Sequence, residues 1–114
     1  MADLITEVER MRSALRRSID DLLKHGTDLA QKEHAYQVAK AQTVLQMKDE
    51  GRPVTEINLT IKGQDAVAEA MLQRDIAQVL YQTNIEHINA TKLELRVLEN
   101  QVAREWNNGT AQNV

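Results

Sequence analysis

Cysteine and phenylalanine are absent from this chain, proline occurs once and glycine four times. Without cysteine there is neither a disulfide framework nor a thiolate metal site. The single proline, Pro53, leaves long stretches on either side with no obligatory helix breaker. The only aromatic residues are Tyr36, Tyr81 and Trp106. A compact core normally relies on rings, each of which buries a large area. A chain with so few must spread its burial along thin helix–helix seams. No apolar run approaches transmembrane length, and Met1-Ala2-Asp3-Leu4 reads directly into a helix pattern with no apolar signal core. A cytoplasmic location with no membrane attachment is therefore expected, and the sequons at Asn58, Asn89 and Asn108 carry no weight without a secretion route. A net charge of −3 argues against a dedicated nucleic-acid binder.

What is abundant is Leu, Ala, Gln, Glu, Lys and Arg, the residues that lose least on entering a helix. Leu4, Val8, Met11, Leu15, Ile19 and Leu22 recur at spacings of three and four, which places them on one helix face. Arg10, Arg12, Arg16, Arg17, Asp20 and Asp21 fall mostly on the other face. His25-Gly26-Thr27-Asp28 interrupts the pattern, because Gly26 suits a helix C-terminus and Asp28 with Gln31 forms a capping-box pattern. A break or kink near Gly26 is expected; the alternative is a continuous helix carrying a glycine defect of about 1 kcal/mol. Leu29, Tyr36, Val44 and Met47 continue the helix to the region of Lys48. Gly51 and Pro53 end it. In the connector, Ile57, Leu59 and Ile61 alternate with Asn58 and Thr60 as in a short strand, yet Thr55 can equally cap a helical turn closing at Gly63. A lone strand has no partner in an all-α monomer, so the turn is preferred.

The last helix is expected from about residue 64 to Trp106, with Asp65 favourably placed at its N-terminus and Asn107-Asn108-Gly109 as its stop. Residues 107–114 are expected to be a disordered tail. Around this helix the apolar residues fall on two faces. Ala70, Ala77, Tyr81, Ile85, Ile88, Leu95, Leu98, Val102 and Trp106 make one; Leu72, Ile76, Val79, Leu93 and Val97 make the other. One partner requires only one apolar stripe. Two stripes predict a long antiparallel helical hairpin that self-associates into an oligomeric all-α bundle. This single domain covers residues 1–106, with helices near 3–25, 28–49 and 64–106 and a connector at 50–63. Leu72, Ile76, Val79, Leu93 and Val97, with Ile57 and Leu59 of the connector and Trp106, are the candidate contacts to a partner or a second subunit. Trp106 lies in phase with Leu95, Leu98 and Val102, which favours a plug at the bundle end over a partner anchor.

Chemistry leaves little trace. His25, His34 and His87 belong to no HExxH or Glu-x-x-His pattern, and no phosphate-cradling glycine loop or nucleophile elbow occurs. Neither enzymatic activity nor a cofactor or metal is expected. Arg16, Lys24, Lys32, Lys40 and Lys48 recur every eight residues but spiral around a helix by about 80° per step. Lys48, Arg52 and Lys62 form a more local cluster that can meet a phosphate or an acidic partner, or simply be hydrated.

Several segments have a familiar look: Asp49-Glu50-Gly51-Arg52-Pro53-Val54-Thr55, Ile61-Lys62-Gly63-Gln64-Asp65, Arg74-Asp75-Ile76-Ala77 and Tyr81, Ile85-Glu86-His87-Ile88-Asn89, the run from Leu93 to Gln101, and Arg104-Glu105-Trp106. Together, over roughly residues 36–106, they resemble small helical accessory proteins of unknown activity encoded in the early, DNA-metabolism regions of phages and prophages of Gram-positive bacteria. The resemblance carries over no functional residue. It implies an accessory factor in DNA recombination or replication, acting through protein contacts in the cytoplasm of a bacterial host cell. An anti-defence protein that binds and inhibits a host nuclease is the alternative. The expected partners are other copies of the chain and a phage or host protein.

Overall fold

The computed structural model describes residues 1–112, with side chains to Gly109. It is all-α among these residues: α1 (Ala2–Asp49), α2 (Val54–Thr60), a 3-10 turn (Ile61–Gly63) and α3 (Asp65–Gln112). The expected break at Gly26 does not occur, since α1 is continuous through it. A Cβ at Gly26 would lie 3.3 Å from Tyr81 Cε2, so the glycine admits a ring rather than ending a helix. The expected stop at Trp106 is not where α3 ends either, because Asn107, Asn108 and Gly109 remain helical. Glycine and asparagine weaken a helix by about 1 kcal/mol or less per residue, and no proline follows to forbid continuation. Of the tail expected to be disordered, the last two positions lie outside the described residues.

α1 ends at Gly51, whose φ of +79° is open to glycine without strain. The amide of Gly51 donates to the Lys48 carbonyl at 2.9 Å and that of Arg52 to the Met47 carbonyl at 3.2 Å, a Schellman termination. Pro53 then takes an extended conformation (ψ 146°) and starts α2, with the Ile57 amide bonded to its carbonyl at 3.0 Å. The connector is thus helical and not a strand. Its cap is Pro53 rather than Thr55, and no side chain supplies the cap bond.

Two compact units are distinguishable. In the unit of residues 24–82, Tyr36 and Met47 of α1 bury against Ile57, Ile61 and Val67, with Val44, Ala70 and Met71 packed around them. The other unit joins Met1–Leu23 to the chain from Thr83 onward. There Arg12 pairs with Glu99 at 3.1 Å and the N-terminal amine with Glu105 at 3.8 Å. Asn84 Nδ2 donates to the Ser18 carbonyl at 2.9 Å. Sequence numbers rise on one side of these pairs as they fall on the other, so the two segments run antiparallel within this unit.

The best-covered positions recur at spacings of three and four, with some of their neighbours partly covered. In α1 the series runs through Leu4, Val8, Met11, Leu15, Ser18, Leu22, His25, Leu29 and onward to Tyr36. In α3 it runs through Val67, Ala70, Arg74, Ala77, Tyr81, Asn84, Ile88, Thr91, Leu95, Leu98 and Val102. This is the 3.5-residue period of a coiled-coil seam. It corrects one expectation in α1: Ser18 takes the covered position, and Ile19, one step and about 100° on, is left exposed.

Candidate interaction surfaces

The seven-residue repeat decides what faces away. With Arg74 and Ala77 in the seam, Leu72, Ile76 and Val79 point outward on the unit of residues 24–82, and all three are exposed. On the other unit, Leu93 and Val97 are likewise exposed. Together with Met11 and Leu98 they line an open apolar groove of about 420 Å³ edged by Glu7 and Glu94. The Glu7 carboxylate at that edge is held by Arg10.

The connector residues separate. Ile57 is 2% exposed and belongs to the core, so it is unavailable as a partner contact; Leu59 is 81% exposed. The two residues are about 200° apart on a helical turn, and the α2 geometry sends one in and the other out. Trp106 is 68% exposed, so it is not buried as a plug at the end of the covered series, whose last apolar member is Val102. Lys48, Arg52 and Lys62 are all exposed, but Arg52 Nε lies 3.1 Å from Glu50 Oε2, and Asp49, Glu56 and Asp65 share the same stretch of chain. That stretch is not a cationic surface.

Two polar constellations were not singled out from the sequence. In the first, Ser18 Oγ and His87 Nδ1 are 2.9 Å apart, beside the Asn84 bond to the Ser18 backbone. In the second, the Arg74 guanidinium lies 4.4 Å above the Tyr36 ring. Its Nε and Nη2 donate to Asp75 Oδ1 at 3.1 and 3.0 Å, and Glu33 Oε2 is 3.6 Å away. The hydrogen bond to Asp75 is the main reason the guanidinium pKa rises above its ordinary range, and the fields of Asp75 and Glu33 add to it while partial desolvation opposes it. Arg74 and Glu33 border an open groove of about 490 Å³ with Gly26, Leu29, Ala30, Gln78 and Tyr81. The signal that could have found these residues is their phase: Ser18, Arg74, Asn84 and Thr91 all occupy seam positions of the repeat.

Among the described residues no group of three or more His, Cys, Asp or Glu is placed to hold a metal ion. No described helix is long and apolar enough to cross a membrane. Comparison of the chain with protein-family models, with curated proteins and with solved structures finds no match.

Proposed function

We propose that this chain is a non-enzymatic interaction protein. In this reading α1 and α3 fold back as an antiparallel hairpin closed by α2, and hairpins associate into a helical bundle that acts as a phage accessory factor in DNA recombination or replication through protein contacts. The observation that carries the reading is the outward row Leu72, Ile76 and Val79, with Leu93 and Val97. A water-facing helix side gains nothing from β-branched and leucine side chains at a spacing of three and four, whereas a protein partner does. The likeness to phage and prophage proteins supports DNA metabolism as the setting. The net charge of −3 favours a second reading, in which the chain binds and inhibits a host nuclease, its acidic side chains suiting the basic surface on which a nuclease holds its substrate.

The test is affinity capture from phage-infected cells with the wild-type chain and with Ile76→Glu/Val79→Glu, which buries unpaired charge in any interface formed by this row. A replication or recombination protein retained by the wild type and lost by the variant is the expected result. A defence nuclease captured in place of a replication or recombination protein replaces the first reading by the second. Capture indifferent to the double variant removes this row from the function.

A further inference from the structure

We propose that residues 1–23 carry a self-complementary face on which a second copy of this chain docks antiparallel, about a two-fold axis at Arg12. The inference rests on the self-association proposed above, but it places the second copy on α1 and leaves the outward row of α3 to a different partner.

The face comes from the register of the seam. Once Leu4, Val8, Met11, Leu15 and Ser18 are committed inward, Ile5, Glu9, Arg12, Arg16 and Ile19 share an arc of about 80° on the flank of α1. All five are exposed, the two isoleucines at 46% and 47%. Ile5 and Ile19 add apolar side chains beside the seam at either end of the charged residues Glu9, Arg12 and Arg16, as on a bundle helix that meets a second neighbour. The surface there carries two shallow, open depressions. One open depression of about 560 Å³ is lined by Glu9, Arg12, Ser13, Leu15 and Arg16, and a second of about 220 Å³ includes Ile5, Glu9 and Arg12.

The order of residues selects a second copy as the occupant. Ile5 and Ile19 lie seven residues to either side of Arg12. Glu9 and Arg16 lie three before it and four after. A two-fold rotation at Arg12 therefore sets Ile5 of one copy against Ile19 of the other, and leaves Glu9 one residue, about 1.5 Å of helix rise, from the level of the other copy's Arg16, within reach of two long side chains, with each contact made twice. An isologous interface demands this self-complementarity, since residue i must meet j and j must meet i. Arg12 would meet its own mate at the axis, and its charge is already paired with Glu99 at 3.1 Å. Further out, the exposed Leu23 comes opposite Met1, which is exposed as well.

The experiment combines charge reversal with a cysteine at the axis, the chain having no cysteine of its own. Sedimentation equilibrium should show Glu9→Arg and Arg16→Glu each weakening the dimer by about tenfold, as two attractive contacts become repulsive. The double variant, which restores opposite charges, should return to wild-type affinity. Circular dichroism should report unchanged helicity in all three, since both side chains are exposed. Arg12→Cys should oxidise to a covalent dimer and Arg17→Cys should not, because only a residue on the axis brings two Cα atoms within disulfide range. A wild-type chain that stays at monomer mass overturns self-association and this face together. A wild-type dimer insensitive to both reversals and to Arg12→Cys, yet broken by Ile76→Glu/Val79→Glu, overturns this face and leaves self-association standing on α3.

Discussion

Replacing Ile57 and Leu59 separately distinguishes core from surface in a helix of seven residues. Ile57 is the one buried residue of α2 and packs in the cluster of Tyr36, Met47, Ile61 and Val67. Truncating a buried isoleucine to alanine removes its transfer free energy and leaves a cavity, for a loss of about 2–5 kcal/mol. Because α2 is short and followed at once by the 3-10 turn, it can settle partway into the space, which puts the loss near the lower half of that range, about 3 kcal/mol. At roughly 4 °C or more per kcal/mol, the melting temperature of Ile57→Ala should fall by about 12 °C or more. Leu59, two residues away and 81% exposed, should tolerate serine within about 0.5 kcal/mol. The assay is thermal and urea denaturation of both variants followed by far-ultraviolet circular dichroism, with urea slopes compared to confirm an unchanged unfolding reaction. Equal losses for the two variants, or a larger one for Leu59→Ser, would refute the packing of α2 described here. Loss of partner capture by Leu59→Ser without loss of stability would instead make this exposed leucine part of the recognition surface.

Gly26→Ala should change stability little, because a helix gain of about 1 kcal/mol is opposed by a Cβ placed 3.3 Å from Tyr81 Cε2. In a Tyr81→Ala background the same substitution should recover the full gain, and a double-mutant cycle by urea denaturation that shows no coupling would contradict the close approach. Duplex or single-stranded DNA should bind no tighter than about tens of micromolar at physiological salt, the range of weak non-specific complexes, since Lys48, Arg52 and Lys62 share their stretch of chain with acidic residues. Fluorescence anisotropy at several salt concentrations checks this, and a nanomolar complex would overturn the preference for protein partners.

The all-α class, the termination at Gly51 and the outward phase of Leu72, Ile76 and Val79 were legible in the sequence. Each depends on local rules that act within one or two helical turns: propensity, positive φ at a glycine, and the angle between residues. Three features were not. Gly26 looks like a helix end because only its neighbours in sequence are visible; the ring of Tyr81, far along the chain, gives the glycine a different use. Ile19 looks like a core residue by hydrophobicity, yet the polar Ser18 is covered, because the three-four spacing of the seam runs through position 18 and cross-helix bonds to Asn84 and His87 satisfy its groups. Ile57 and Leu59 look alike as apolar residues two apart, and only the packing of α2 on Tyr36, Met47 and Val67 turns one inward. The sequence alone determined the all-α class and the termination at Gly51, because both rest on local propensity and backbone geometry. The register of the seam, and with it which apolar residues remain for a partner, was decided by tertiary structure, because burial and cross-helix hydrogen bonds depend on residues brought together from distant parts of the chain.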